Sequence, residues 1–483
     1  MPMVKTHRIL VIAFLAAAAR QEPGLAQSAP PSPAGTWHSS GERSLQKDLA
    51  THPEAKYDIN ASKSYTLSEL IDLAQQHNPE TRAAWEEAKS RAASLGIARS
   101  AVYPTLSAVA LAASIRQASL IGEFFHRQTL GIFEPVLHVE YLIFDVGGRS
   151  GTIDIAKADL LAADLAFNDT HRRIIFQVAS AYYRLLNAEG QRQAAEASLE
   201  NAKAVEDDAK SRLENGLATK PDEMEATAAR AQSDYDLQAA IGAVDIARGD
   251  LATVLGLSPE TDLKVQEIDD LKMPNEFADS VDAEIERAFQ QRPELLEQLA
   301  RVRAADAAIK HAKSTYFPSL SFNGDGGLAR AYGQQDLMPG SYAQGEVWTT
   351  ELQLKWTLFD GAQREYEIAR AHADKKAAEA DIDALRDQIG DEVWTAYSNM
   401  KTALRQQQAA AALLTASQQS YEAAHEAYAY GVRNLLDVVS AQKALAQARS
   451  EDVLARTQLL LQVTNLAFRT GDLIQVQSGK AAP

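Results

Sequence analysis

Apolar and polar residues alternate in two separate stretches of this chain, and both stretches end on the same dipeptide. Over 346–360, Trp348, Thr350, Leu352, Leu354, Trp356 and Leu358 fall on one parity, and Val347, Thr349, Glu351, Gln353 and Lys355 on the other. A period of two predicts a strand with one oily and one wet face. Earlier, Phe133, Leu137, Val139, Tyr141 and Ile143 alternate with Glu134, His138 and Glu140. Phe144-Asp145 closes the first stretch and Phe359-Asp360 the second, with Arg149 and Arg364 following. About 9 to 11 tilted residues suffice for a β-strand to cross a bilayer, and aromatic residues favour its two interfaces. Leu137, Val139, Tyr141, Trp348, Leu352, Leu354 and Trp356 are therefore expected to face lipid, and His138, Glu140, Glu351, Gln353 and Lys355 a wet lumen.

Beyond each Phe-Asp the pattern becomes Ala-rich and helix-favouring. From about Arg149 to Leu213 roughly 65 residues run without proline, a helix of about 100 Å. Ile174, Val178, Ala181 and Leu185 give it a coiled-coil seam. Gly216 suits its C-terminal cap, and Thr219 with Asp222 has the N-cap and N3 spacing of a returning helix that ends near Leu255. Most of this is then repeated. Ala288, Pro293, Glu294, Pro318 and Ser321 match Ala74, Pro79, Glu80, Pro104 and Ser107 at an offset of 214, and Asp360, Arg364, Ile389, Val393, Gly431 and Asp437 match Asp145, Arg149, Ile174, Val178, Gly216 and Asp222 at 215. Register held through strand, helix and tip marks an internal duplication. The first repeat spans 65–280, with strands at about 104–116 and 132–145 and a tip at about 213–222. The second spans 281–471, with strands at about 318–331 and 346–360 and a tip at about 428–437.

The ends read differently. Residues 1–26 have a basic start, a short apolar run and a small-residue cleavage site, which predicts a secretory signal peptide. Residues 27–64 are Pro- and Ser-rich and predict an extended lead-in, and 472–483 a tail. With no long apolar stretch elsewhere, entry into a membrane requires a closed barrel. The chain has no cysteine, which removes disulfides and lipid attachment through an N-terminal Cys. Its net charge of −17 argues against nucleic acid as a partner and agrees with an acidic, water-filled lumen.

No catalytic, cofactor or metal motif stands out: His-Glu-x-x-His, Gly-x-Ser-x-Gly and the phosphate loop are all absent. Asn323-Gly-Asp-Gly-Gly327 reads as a flexible strand. His425 with Glu426 reads as a solvated helix face. The expectation is a protein that is neither an enzyme nor a cofactor binder.

The Asn-Pro-Glu phrase at Asn78 and its Arg-Pro-Glu echo at Arg292, the two strands started by proline, both Phe-Asp exits and the two Gly-containing tips together resemble the outer membrane efflux protein family, the TolC-like channel-tunnels. The resemblance covers about Tyr65 to Gly471. It implies a mainly α protein with a membrane β-barrel: a homotrimer in which each protomer gives four strands to a twelve-stranded barrel and long coiled-coil helices to a periplasmic α-barrel. Four strands leave two bare edges, so closure needs neighbours on physical grounds, although the sequence alone also permits a dimeric eight-stranded barrel. The implied role is an outer membrane exit duct working with a periplasmic adaptor and an inner membrane transporter. A duct for secreted protein, or a periplasmic coiled-coil scaffold, are the alternatives.

By the same resemblance, Arg212, Leu213, Gly216, Leu217, Ala218 and Thr219 with Gly431 and Val432 form adaptor-contacting tips. Tyr428 and Arg433 fall on the family's gate tyrosine and arginine. Asp222 falls on the acid of the neighbouring hairpin that holds them closed, and Asp437 on a lumen acid. Ser440 stands where better-known members carry a second acid. Helix capping alone accounts for acids at Asp222 and Asp437.

Overall fold

A computed structural model describes residues 40–51, 59, 63–121, 123–266, 271, 273, 280–335 and 340–474. The expected signal peptide and most of the lead-in and tail lie outside these. Within the lead-in, expected to be extended, Ser40–Ala50 form a helix, α1. Its exposed Leu45 and Leu49 lie four residues apart, a helical spacing too short to be conspicuous in a Pro-rich segment.

The rest is one pattern used twice. The first half comprises β1 (Ser64–Tyr65), α2 (Leu67–His77), α3 (Pro79–Ser100), β2 (Thr105–Ile121), β3 (Phe124–Phe144), α4 (Gly148–Glu214) and α5 (Lys220–Val254). The second comprises β4 (Lys264–Val265), α6 (Val281–Gln291), α7 (Pro293–Ser314), β5 (Ser319–Gln335), β6 (Ser341–Lys355), α8 (Gln363–Ala429) and α9 (Leu435–Thr470). Helices α4 and α8 are both 67 residues, α3 and α7 both 22. Proline at the start of α3 and α7 costs nothing, because the first helical N–H has no partner to lose. The predicted seam residues Ile174, Val178, Ala181 and Leu185 are all buried.

Each strand turns into its long helix through two left-handed residues. Val146 and Gly147 adopt φ of 49° and 98°, and their repeat equivalents Gly361 and Ala362 adopt 70° and 68°. One non-glycine residue at each junction therefore carries a strain of about 1–3 kcal/mol. The Phe-Asp and Arg pattern supplies the compensation. Arg364 Nε lies 2.7 Å from Asp360 Oδ2 while its Nη1 donates to the Thr357 carbonyl at 2.7 Å. Arg149 likewise donates to the carbonyls of Ala101 and Ile143, and Asp145 accepts from the Arg149 backbone N–H.

The four long strands form one antiparallel sheet in the order β2-β3-β5-β6. They run further than alternation predicts. Residues 117–121 and 124–131, expected as a loop, are paired strand, and β5 extends to Gln335. Alternation fades there because apolar residues come in consecutive pairs, Leu120-Ile121 and Phe124-Phe125, rather than at every second position. At the other end β6 stops at Lys355, short of the expected 360. Trp356, expected within the strand, lies just beyond it, and its indole Nε1 donates to the Tyr316 carbonyl at 3.0 Å. The glycine run of β5 has a packing cause: a Cβ on Gly327 would sit 2.2 Å from the Pro135 carbonyl oxygen of β3.

Close helix approach also depends on small residues. A Cβ on Gly151 of α4 would lie 2.9 Å from both N and Cβ of His311 on α7. Gly151→Val is expected to push these helices apart and cost about 1–3 kcal/mol as overpacking, read as a lower thermal unfolding midpoint, whereas Gly96→Ala, facing open space, is expected to leave the midpoint unchanged or raised.

Candidate functional site

Chemistry collects in two places, the sheet and the hairpin tips. Directly opposed residues of antiparallel strands share a face, so register sorts the side chains. Leu106, Val139, Gly324 and Thr350 form one row, and Ala108, Leu137, Gly326 and Trp348 the next. Tyr141, Phe322 and Leu352 form a third, and Leu320 pairs with Leu354. The opposite face carries the rows Ser107, His138, Asp325, Thr349 and Thr105, Glu140, Asn323, Glu351, followed by Ser321 with Gln353 and Ser319 with Lys355. The alternations of β3 and β6 thus fall on the same side although β5 stands between them. His138 Nδ1 lies 2.8 Å from Asp325 Oδ1 on the polar face. Among the described residues nothing covers the Trp348 and Leu354 end of the apolar face: Trp348 is 76% exposed and Leu354 67%.

At the far end of the long helices, Gly216 and Gly431 turn the chain with φ of 70° and 73°. The Leu217 N–H donates to the Arg212 carbonyl and the Val432 N–H to the Ala427 carbonyl, each at 2.8 Å, closing identical helix ends. Leu217 and Val432 are left protruding, 73% and 79% exposed. Leu213 and Ala218 are half-buried and Thr219 exposed.

Of the expected gate residues, Tyr428 lies inside the protomer and Arg433 on its surface. Tyr428 is buried among Val205, Ala209, Ala226, Leu435 and Val438, so it pins the α8–α9 hairpin to α4 and α5 of the same protomer. The Arg212 guanidinium stacks 4.3 Å from its ring centroid and donates to the Ala429 carbonyl at 2.5 Å. Burial pushes the Tyr428 hydroxyl's pKa up, with Asp222 and Asp208 adding to the rise and Arg212 opposing it. Among the described residues of one protomer, Asp222 makes its hydrogen bonds to Thr219. Its Oδ2 accepts from the Thr219 hydroxyl at 2.7 Å and the Thr219 N–H at 2.8 Å, and these bonds hold its carboxyl below the usual range. Capping wins because Thr219 is three residues away, whereas a partner across the tip must be brought there by tertiary packing. Asn434 Oδ1 accepts from the Asp437 N–H at 2.9 Å, the matching cap of the second repeat. Arg433 is exposed, Asp437 half-buried, and among the described residues neither side chain has a polar partner.

The model of the outer membrane efflux protein family matches residues 70–257 and 285–472. This chain belongs to that family. It is 28% identical to Protein CyaE of Bordetella pertussis over 84% of both chains, and 25% identical to the outer membrane protein OprJ of Pseudomonas aeruginosa over 78% of both. Its fold matches the outer membrane channel CmeC of Campylobacter jejuni at a TM-score of 0.71 and 18% identity, covering 87% of this chain and 93% of that one. The efflux-family chain is therefore an outer membrane protein of a Gram-negative bacterium, with a large helical portion in the periplasm.

Two ionic clusters in this efflux protein escaped sequence reading. Arg172, 1% exposed in the middle of α4, pairs with Asp169 and Glu294, stacks on Phe468 and donates to the Phe468 carbonyl at 2.7 Å, closing the end of α9. Arg292 and Arg469 reach Glu392 at 2.7 and 2.9 Å. The first repeat does the corresponding task with an amide, Asn78 Nδ2 donating to the Val254 carbonyl at 2.9 Å. The Arg-Pro-Glu echo of Asn-Pro-Glu carried a readable signal of this exchange. Nearer the tip, Glu206 is 3% exposed and accepts from Lys210, Arg230 and Thr227 at 2.9 Å each.

The Lys210 hydrogen bond, outweighing burial with the help of Arg230 and Thr227, lowers the Glu206 carboxyl to about 2. A depressed folded value means stability that is full above the unfolded carboxyl range and lost as pH falls toward the folded value. The α4–α5 pairing is thus expected to weaken between about pH 4.5 and 2, seen as growing spin-label separation across these helices. Glu206→Gln is expected to flatten that response. Lys210→Met with Arg230→Met, which strands a buried carboxylate, is expected to cost more than Glu206→Gln, whose half-exposed cations regain water.

Proposed function

We propose that three copies of this chain close their sheets into a twelve-stranded barrel and their helices into a periplasmic tunnel. The assembly is an exit duct of a tripartite efflux system, passing solutes delivered by an inner membrane transporter and a periplasmic adaptor to the exterior. The observation that carries this reading is the single sheet with one apolar and one charged face, bare at both edges and continuous with two equal 67-residue helices. A lipid-facing outside and a wet inside require that separation. A periplasmic scaffold has no use for Trp348, Leu352 and Leu354 on one uncovered face.

The tips act as the docking and closing end. Leu217 and Val432, protruding beside Gly216 and Gly431, offer the adaptor small, apolar contact points. Closure has two layers. Inside each protomer, Arg212 over Tyr428 holds the second hairpin against the first. Between protomers, Arg433 and Asp437 are the groups left free to meet across the axis, while Asp222 serves chiefly to start α5. Adaptor docking opens the duct by binding the open tip better than the closed one.

Leu354→Arg is expected to cost about 2–4 kcal/mol at mid-membrane depth and Gln353→Arg close to nothing. Equal yields of assembled, heat-resistant oligomer from both variants would defeat the assignment of faces. For closure, one cation–π contact is worth about 0.5–2 kcal/mol and acts three times per assembly. Arg212→Ser with Arg433→Ser is expected to raise single-channel conductance in planar bilayers. Tyr428→Phe alone is expected to change little, since the hydroxyl has no hydrogen-bond partner among the described residues. Unaltered conductance in a properly assembled double variant would assign closure to other residues. Cysteines at Leu217 or Val432 are expected to crosslink to the adaptor.

A further inference from the structure

Where β3 and β5 give way to helices, an open cleft of about 380 Å³ lies between the β3–α4 turn and α7. Val146, Ile309 and Phe317 supply its apolar wall, and Asp306, Lys310 and Lys313 its charges. Two of these charges are already committed. Lys310 Nζ lies 3.0 Å from Asp154 Oδ2, and Asp306 Oδ1 2.7 Å from Lys375 Nζ. Lys313 is exposed and, among the described residues, its ammonium has no partner. Phe317 beside it is 54% exposed, an aromatic ring left open next to a free cation.

Position narrows what can fill this space. Val146 comes two residues after β3 ends and Phe317 two before β5 begins, so the cleft sits at the rim of the strands. Helices α4 and α7 pack directly on one another, with α3 against α4 and α8 against α7 on the flanks, which keeps the cleft away from the protomer's edges. A second copy of the chain is therefore not its natural occupant. We propose that the cleft binds the headgroup of an anionic phospholipid from the periplasmic leaflet, phosphate on Lys313 and the upper acyl carbons on Phe317 and Val146; this rests on the membrane placement of the sheet.

The duplication gives an independent argument. At an offset of 214, Lys313 and Phe317 correspond to Arg99 and Tyr103, again an exposed cation four residues before an exposed aromatic. Ile309 and Ser314 correspond to Leu95 and Ser100. The charges spent on internal pairs are not repeated, for Asp306 and Lys310 correspond to Ala92 and Gly96. What both repeats keep is the free cation with its ring, the combination suited to a phosphate at the edge of an apolar layer. A free inorganic anion would need the cation but not the ring.

The test uses the full chain in phosphatidylcholine vesicles, with spin-labelled phosphatidylglycerol and phosphatidylcholine as probes of motionally restricted lipid. The wild type is expected to select phosphatidylglycerol, and each cation removed is expected to reduce its binding at that site by about fivefold, the worth of one lysine near an anionic surface. Lys313→Gln is expected to lower selectivity, Lys313→Arg to retain it, and Lys313→Gln with Arg99→Gln to bring the two lipids level. Wild-type selectivity in the double variant overturns the proposal. So does its abolition by millimolar inorganic phosphate at constant ionic strength, which would mark a free-anion site. Conductance in the same vesicles separates the two levels of failure: a conducting protein without lipid selectivity overturns the cleft assignment alone, whereas a protein that never inserts overturns the membrane reading with it.

Discussion

Among the described residues strand β2 pairs only with β3 and strand β6 only with β5, so each presents a row of backbone N–H and C=O groups without a strand partner. In water such an edge is an aggregation hazard; in hydrocarbon every unmet group costs several kcal/mol. Lipid and closure therefore come as one requirement. All four strands join a helix at the same end, α3 into β2, β3 into α4, α7 into β5 and β6 into α8, so the sheet and the helices share one direction. In the proposed closed assembly the helices leaving the sheet would run side by side around a shared axis, which calls for equal lengths in the two repeats. Helices α4 and α8, both of 67 residues, meet that demand.

The junctions carry the mechanical consequence. A strand that ends on an oily face must pass its direction to a helix without slack, and the left-handed pair at each junction does so at the cost of local strain. Aspartate and arginine then fix the turn by joining carbonyls of the strand end to the first turn of the helix. Because the pattern is Phe-Asp followed by Arg, a one-residue slip would lose the clamp and reverse the faces of the strand together.

These same residues explain how much was readable. Alternation over 346–355 and 133–143 was legible because strand periodicity is local, and the duplication because it compares the chain with itself. Thr219 with Asp222 announced a cap for the same reason. The distal strands near residues 117–131 were not legible: apolar residues fall next to one another at 120–121 and 124–125, so period two loses its contrast. Trp356 misled by keeping parity beyond the end of β6. Arg172, Glu206 and the seat of Tyr428 were hidden for a different reason. Each owes its role to helices far apart in sequence, and a charge on a long helix looks solvated until its neighbours are known.

The two hairpins repeat in backbone but not in what binds them. At an offset of 215, Glu206 and Lys210 of the first hairpin become Tyr421 and His425 of the second, and Thr227 and Arg230 become Gln442 and Leu445. The first is held internally by a carboxylate with three donors, directional contacts that fix α5 on α4. The second replaces them with aromatic and apolar packing, and spends its tyrosines on α4 instead: Tyr421 and Tyr428 share one cluster with Val205 and Ala209, and His425 faces Asp208. Apolar contacts tolerate sliding, whereas a buried carboxylate with fixed donors does not. The second hairpin is also tied to α4 by polar contacts, Arg212 donating to the Ala429 carbonyl and Gln191 bonding Ser450, whereas displacing α5 from α4 strands a buried charge. The duplication supplies two helices of equal length, and the two repeats differ in one buried ionic cluster, present at Glu206 and replaced by Tyr421 and its apolar neighbours in the second.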